Sequence, residues 1–288
     1  DDQALSNAMT AGDRRSLSPA LRAAYSRSGT SHLLAVSGLH VGIVFLLANL
    51  LLWWLPLFRH GHILRNIAVI LLIWLYAATP GFPPSVVRAA LMFSVLQFAL
   101  ASSSEYVGMT TLAGVAFVML LFHPDYLFDI SFQLSFIAVA GIIAWGLPLC
   151  RLLRTRRKSI DMLTATLAIG FSASAATAPL ISHTFGQISV VGLALHPVVI
   201  LLSYVVVGSC TLWLVIPGTV LAPLFSVVAG FAARAQNELI RAAAALPAAA
   251  LDIRLTTTQC WIVYGLFIFA TLLLWSAERK KSVSSLPE

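Results

Sequence analysis

The residues best suited to chemistry lie in one short string at the start of the first long apolar stretch. The string His32–Gly42 reads HLLAVSGLHVG and contains two imidazoles, one hydroxyl and two glycines. Polar groups at membrane depth are costly unless they face protein or water. If the string is one helix, His32, Val36 and His40 share a side and the glycines form a packing notch. If Ser37-Gly38 breaks the helix, the exposed backbone lines a cavity.

Two further places combine charge or polarity with apolar surroundings. Arg88 lies early in a predicted span and must snorkel to the interface, pair, or face water. Asp125, Asp129 and Gln133 follow each other at helical spacing and enter the membrane as a polar edge. Asp125 is expected to complement the dipole of a helix start, and we hypothesise that Asp129 pairs with Arg88.

These residues must be positioned by membrane helices, because the composition excludes a water-soluble surface. Hydrophobic residues make up 59% of the 288 and charged residues only 10%, with a mean hydropathy of +0.90. Soluble domains carry about 25% charged residues. The sequence from Met162 to Ala233 contains no Asp, Glu, Lys or Arg. At about 20 residues per crossing, the chain is predicted to be an all-α, polytopic bundle of roughly seven to nine membrane helices, some broken or re-entrant.

The chain is predicted to contain three segments. Residues 1–31 form an interfacial amphipathic segment with a helix that starts at Ser18-Pro19. Residues 32–278 form the transmembrane domain, and residues 279–288 form a basic and then polar tail. Within the domain, predicted spans cover about 32–58, 67–78, 85–101, 106–122, 127–149, 163–181, 190–215 and 261–275.

Prolines and glycines interrupt this pattern at several places. Residues 79–84 hold three prolines and a glycine and cannot be helical. A kink or break is expected at His196-Pro197, and residues 218–250 read as a re-entrant pair or an interfacial hairpin. A series of small residues at 172–178 is expected to allow close helix packing. The chain starts without methionine and has no signal-peptide pattern, so we expect a fragment or processed product.

Basic loops set the expected orientation. The loops 59–65 and 151–158 and the tail 279–281 carry Lys and Arg, which remain on the cytoplasmic side. We therefore predict a multi-pass protein of the cytoplasmic (inner) membrane with a cytoplasmic C-terminus. The basic N-terminal segment then lies outside, where arginine suits an anionic cargo.

Several strings in order resemble one known family. They are His32–Gly42 (HLLAVSGLHVG), Gly12-Asp13-Arg14, Pro84–Met92 (PSVVRAALM), Pro124–Phe136 (PDYLFDISFQLSF), and Pro179-Leu180 with Phe185-Gly186. Their order and spacing over about residues 4–200 resemble the membrane channel, or competence, domain of the ComEC family of DNA-uptake proteins. The chain departs from the family pattern at Leu195-His196-Pro197, where an Asn-containing segment is usual, so no role is assigned there.

The resemblance implies a membrane channel that passes single-stranded DNA across the cytoplasmic membrane during natural transformation. It implies partners: single-stranded DNA, membrane lipid, a DNA receptor, and a cytoplasmic motor or single-strand-binding proteins. A homo-oligomer is also compatible with it. A motor is expected elsewhere, because the sequence has no Gly-x-x-x-x-Gly-Lys loop. Path-lining or gating roles then fall to seven residues: His32, Ser37, Gly38, His40, Arg88, Asp129 and Gln133.

The expected function is not enzymatic, and no catalytic residue, metal site or cofactor is assigned. Fuller family members carry an OB-like domain before this region and a metallo-β-lactamase-like domain after it, but this sequence has no His-x-His-x-Asp-His string, so nuclease activity is not assigned. Three alternatives stay open: a small-molecule or lipid transporter, a non-transporting family remnant, and an intramembrane enzyme that uses Ser37 and His40.

Overall fold

The chain folds almost entirely into helices, as its composition predicts. The computed structural model describes residues 2–12, 15–34, 36–58, 61–101, 108–155, 157–189, 191–215, 222–246 and 249–284. The α-helices are α1 (Asp2–Ala11), α2 (Pro19–Arg27), α3 (Gly38–Leu51), α4 (Gly61–Ala78), α5 (Pro84–Ala101), α6 (Gly108–Phe122), α7 (Ile130–Gly141), α8 (Leu147–Leu152), α9 (Lys158–Phe185), α10 (Val191–Val215), α11 (Ala222–Ala244) and α12 (Thr257–Ser284). The prediction of an all-α fold is confirmed.

Shorter elements connect the helices. Turns of 3-10 helix cover Ser31–Leu34, Leu55–Leu57 and Pro124–Phe128, and a π-helical turn covers Ile142–Gly146. Two-residue strands β1 (Ile188–Ser189) and β2 (Ala250–Leu251) pair with each other. Helix α9 ends at Gly186, whose φ of 72° is a left-handed conformation that glycine adopts without strain.

Four helical segments of the described chain are long and apolar enough to cross a membrane. They are Gly38–Leu57, Gly61–Ala78, Ile130–Leu152 and Ile160–Phe185. Four further apolar helices are shorter, at Pro84–Leu100, Gly108–Phe122, Val198–Trp213 and Thr257–Leu272. A shorter helix spans a bilayer only if the bilayer thins or flanking residues snorkel. The structure therefore supports a multi-helix membrane protein, while the count of seven to nine membrane helices stays a prediction.

Some helix boundaries agree with those predicted from the sequence, and others differ from them. Helix α2 begins after Ser18, whose hydroxyl accepts a hydrogen bond from Leu21 N at 3.3 Å, and residues 79–83 are non-helical. Helix α10 continues across residues 196–197, so the chain does not break there, and the alternative of a kink stays a prediction. The described part of 218–250 contains one helix, α11, in place of a re-entrant pair. Helix α12 continues to Ser284, into the segment predicted to be a tail.

The chain divides into two compact units, and the first contains the residues singled out above. Unit 1 comprises Asp1–Phe136 and Ser189–Ala250. In one part of its core, α3 packs against α4 and α5; in another, α1, α2 and the 3-10 turn at Ser31–Leu34 pack with α10 and α11. The apolar side of segment 1–31 is therefore covered by protein, and its position at the membrane interface stays a prediction.

A buried polar chain joins the first two helices to α11. The Tyr25 hydroxyl donates to Asn237 Oδ1 and accepts from Gln236 Nε2, both at 3.2 Å, and Asn237 Nδ2 donates to Asp2 Oδ1 at 2.9 Å. Asp2 also pairs with Arg234 at 3.2 Å. Burial raises the pKa of the Tyr25 phenol, so it stays protonated and able to donate. Buried polar groups need hydrogen-bond partners, and in this chain of residues each one is the partner of the next.

Unit 2 comprises Ile137–Ile188 and Leu251–Glu288 and packs around the small residues of α9. A side chain added at Gly141 would lie 2.5 Å from Ala176 Cβ, and Ser172 is fully buried. The close packing predicted for this series of small residues is confirmed. Side-chain hydrogen bonds add to it, since Trp145 Nε1 donates to Thr271 Oγ1 at 2.8 Å and Ser182 Oγ donates to Ile253 O at 2.6 Å.

Removal of the Tyr25 hydroxyl tests the buried polar chain. Tyr25→Phe leaves the Gln236 amide without its oxygen acceptor, and we expect a loss of about 1–3 kcal/mol in stability. The measurement is the thermal unfolding midpoint of the purified protein in detergent. Tyr204→Phe, at a more exposed tyrosine of α10, is the matched control and should change stability by less than about 0.5 kcal/mol. Equal midpoints for both variants would contradict the assigned network.

Candidate functional site

The string His32–Gly42 contains a break between helices. A 3-10 turn ends at Leu34, Ser37 has extended backbone with φ −125° and ψ 174°, and α3 begins at Gly38. The alternative in which Ser37-Gly38 interrupts the helix is confirmed, and the single continuous helix is wrong. The backbone of His32 lies in the 3-10 turn, but its side chain lies outside the described residues.

His40 folds back onto the break and is fully buried. Its Nδ1 accepts a hydrogen bond from Ser37 N at 2.8 Å and lies 3.1 Å from Ser37 Oγ. Because the backbone N–H only donates, Nδ1 carries no proton, and in the neutral ring the proton is on Nε2. Among the described residues, Nε2 has no hydrogen-bond partner. The break therefore contains a buried N–H donor, at His40 Nε2, for which no described residue is an acceptor.

Arg88 brings a positive charge to the same break. It lies in the second turn of α5 and is only 8% exposed. Its Nε donates to Ser135 Oγ at 2.7 Å, its Nη1 lies 3.4 Å from Met92 Sδ, and its Cζ lies 5.9 Å from the centre of the Phe136 ring. The side chain is enclosed by protein, so the snorkelling alternative is wrong. A hydroxyl, a sulfur and an aromatic face surround the guanidinium.

Gly38 makes room for this guanidinium. A Cβ added at Gly38 would lie 2.8 Å from Arg88 Nη2 and 3.3 Å from Ala89 Cβ. One turn further, a Cβ at Gly42 would lie 3.2 Å from the Phe93 ring. The two glycines therefore form the predicted packing notch, and it receives α5. Gly38 is the point at which the helix break and the buried charge meet.

The two remaining site residues have local roles at the start of α7. Asp129 Oδ1 accepts a hydrogen bond from Phe132 N at 2.8 Å and so caps the helix. Gln133 Nε2 donates to Leu127 O at 2.8 Å. The contacts described for Arg88 go to other partners, so the Arg88–Asp129 pair has no contact that supports it. The structure thus groups Ser37, Gly38, His40 and Arg88 and gives Asp129 and Gln133 capping contacts.

Sequence reasoning missed an aromatic pocket in unit 1. The pocket has a volume of about 370 Å³. Its lining includes Trp74 of α4, Phe82 of the Pro-rich loop, Phe122 at the end of α6, and His123 and Tyr126 after α6. Phe82 has a φ of 56°, which is rare for a bulky residue. Aromatic residues at the ends of neighbouring apolar stretches are the signal that could have indicated it.

The pocket adjoins the helix that carries Arg88. Val87 and Leu91, which flank Arg88 along α5, line its wall. Met92 and Phe136, which contact the guanidinium, pack in the same apolar cluster as these two residues. The charged site and the aromatic pocket are therefore built on one group of helices, α5 to α7.

These features define a multi-helix membrane protein with a buried cation beside a broken helix. The chain belongs to the Competence protein family, whose sequence profile matches residues 9–280. It is 30% identical over 198 residues to ComE operon protein 3 of Bacillus subtilis (strain 168), a match that covers 68% of this chain and 24% of that protein.

An uncharacterized protein of Aquifex aeolicus (strain VF5) is also 30% identical, over 203 residues, 69% of this chain and 45% of that protein. The chain thus spans between a quarter and a half of the length of these relatives. No solved structure matches it. The family assignment agrees with the resemblance found from the motifs alone.

A double-mutant cycle tests the contact between Gly38 and Arg88. Gly38→Ala should cost about 1–3 kcal/mol, because the added methyl displaces a buried guanidinium. In an Arg88→Met background the same change should cost less, since the methionine side chain is flexible, which gives a coupling of about 0.5–3 kcal/mol. Thermal unfolding in detergent measures all four proteins.

Gly114→Ala is the control for this cycle, because a Cβ at Gly114 meets nothing within 4 Å. It should show no coupling to Arg88→Met. If the costs of Gly38→Ala and Arg88→Met simply add, the guanidinium does not occupy the notch.

Proposed function

We propose that the chain forms a membrane channel through which single-stranded DNA crosses the cytoplasmic membrane in natural transformation. The observation that carries the proposal is the burial of Arg88 beside the helix break at Ser37-Gly38. An arginine stays charged at any physiological pH. A charge kept inside an apolar helix group is expensive and is usually functional.

The chemistry around Arg88 suits a phosphate chain. Phosphates are the dominant targets of basic side chains in nucleic-acid binding. The guanidinium offers planar donors that match phosphate geometry. The buried Nε2–H of His40, which has no described partner, adds a neutral donor at the same break. These two groups and the break support a path for a polyanion along α3 and α5.

The aromatic pocket supports the same proposal because it offers a surface on which the bases of the strand can stack. Aromatic side chains stack on any base, so they bind single strands without sequence preference. Trp74, Phe82 and Tyr126 supply such faces in a pocket bounded by α5. A strand that passes Arg88 with its phosphates would have aromatic surface available to its bases. The bases would thus contact the aromatic pocket while the phosphates contact Arg88, and both sites lie on one group of helices.

We propose that the break does not act as a catalytic site. A serine nucleophile needs a base with a free lone pair, and His40 Nδ1 already accepts the Ser37 backbone N–H at 2.8 Å. A third group that orients the base is also absent among the described residues, because Nε2 has no partner there. Positioning of the Ser37-Gly38 turn is the role that we propose for His40.

The remaining partners follow from the same proposal. A DNA receptor would deliver the strand, and a cytoplasmic motor or single-strand-binding protein would draw it inward. We place the exposed basic segment with Arg151, Arg154, Arg157 and Lys158 on the cytoplasmic side, together with the C-terminus. At that position it would also suit an emerging polyanion.

Uptake of labelled DNA in a naturally transformable host tests the channel. The host's own protein is replaced by full-length versions that carry Arg88→Ala or His40→Ala at equal membrane abundance. Loss of a charged hydrogen-bonding group should lower uptake about tenfold or more for Arg88→Ala, whereas Arg254→Ala, at an exposed arginine, should not. Unchanged uptake in both site variants would overturn the proposal and favour a transporter of other cargo or a non-transporting relative.

Thiol labelling tests the orientation. In a background without Cys150, Cys210 and Cys260, an Arg154→Cys thiol should resist a membrane-impermeant maleimide in intact cells and react after lysis. The physical reason is the retention of basic loops in the cytoplasm. Equal labelling before and after lysis would place the segment outside and reverse the proposed orientation.

A further inference from the structure

Three apolar helices of unit 1 end in a cluster of polar side chains that the channel proposal does not use. Asn49 lies near the end of α3, Arg65 and Asn66 lie in the second turn of α4, and Gln97 lies in the last turns of α5. Arg65 Nη2 donates to Asn49 Oδ1 at 2.9 Å, and Asn49 Nδ2 donates to Gln97 Oε1 at 3.3 Å. Gln97 Nε2 donates to Asn66 Oδ1 at 2.6 Å.

The cluster lines a pocket in which no acidic residue of the described chain balances the charge of Arg65. The pocket has a volume of about 340 Å³, with His62 and Leu100 at its edge. Only amide and carbonyl oxygens are described around Arg65, and they do not neutralise a full charge. Its Nε is buried and has no hydrogen-bond partner among the described residues. Helix α4 also has no acidic residue in its first turn, so its positive N-terminal end adds to the field.

The residues around this pocket are of the types found at the level of lipid headgroups. Trp53, Trp54 and Phe58 follow α3 and are exposed, and exposed tryptophans mark membrane interfaces. Leu64 and Phe98, close in sequence to Arg65 and Gln97, are exposed apolar residues on the same helices. The site therefore combines a polar, basic recess at an end of two candidate spans with apolar surface along those helices.

We propose that this pocket binds the headgroup of an anionic phospholipid. The phosphate accepts hydrogen bonds from the partly exposed guanidinium of Arg65, the polar part of the headgroup fills the recess between the amides, and the acyl chains lie along the exposed apolar surface. Basic pockets between membrane helices on the cytoplasmic side are known to suit such headgroups. A free phosphate has the same charge chemistry but gains nothing from the apolar surface, and so the lipid is the better fit.

Native mass spectrometry of the purified chain in detergent tests this site. Dioleoyl phosphatidylglycerol should bind with one preferred stoichiometry, and dioleoyl phosphatidylcholine, whose headgroup carries no net charge, should not. Arg65→Gln should weaken phosphatidylglycerol binding about tenfold, because one charge-assisted hydrogen bond is lost. Arg254→Gln, at an exposed arginine of unit 2, is the matched control and should bind as the unaltered chain does.

A second variant guards against a folding defect in Arg65→Gln. Leu100→Glu leaves every hydrogen bond of the cluster in place and adds a negative charge at the pocket edge, and it should also lose the preferred binding. Equal binding of both lipids, an equal effect of Arg254→Gln, or unchanged binding by Leu100→Glu would overturn the proposal. Competition by millimolar inorganic phosphate alone would overturn it too, in favour of a free-anion site.

Discussion

A positive charge enclosed by apolar helices constrains everything packed around it. Arg88 retains its charge, so each direction around the guanidinium needs a compensating group or empty space. Ser135 supplies a hydroxyl, Phe136 supplies a ring face, and Gly38 supplies the space by having no side chain. The helix break at Ser37 then sets where α3 begins, and with it the position at which α3 meets α5.

Helix α3 carries polar contacts at both ends and tight apolar packing between them. At its start, Ser37 and His40 define the break. At its end, Asn49 joins the polar cluster with Arg65 and Gln97. Between the two, the rings of Phe45 and Phe93 stack with centres 4.7 Å apart. A rigid apolar middle fixes the spacing of the two polar ends, so a change of register between α3 and α5 would disturb both.

Sequence rules predicted those features that depend on neighbours along the chain. Ser18 caps α2 and Pro19 begins it, because capping residues and proline act within one turn. Pro84 was predicted to be non-helical, but it begins α5. The partner of Arg88 depended on packing between helices, since Ser135 lies 47 positions away. Asp129 was hypothesised to pair with Arg88; one of its carboxylate oxygens caps α7 after the 3-10 turn at Pro124–Phe128, and the pair with Arg88 stays a prediction. Hydropathy alone could not have shown that Ser135 contacts Arg88.

The buried chain through Tyr25 affects how the protein can be synthesised. Tyr25 and Asn237 are separated by 212 positions. At about 5–20 residues per second, α1 and α2 wait roughly 10 to 40 s after their own synthesis before α11 exists. During that interval the apolar residues Leu5, Met9 and Leu21 lack the part of their cover that α11 supplies, so the bilayer interface or a chaperone must shelter them. The N-terminal helices therefore complete their packing only after α11 is made, although the ribosome makes them first.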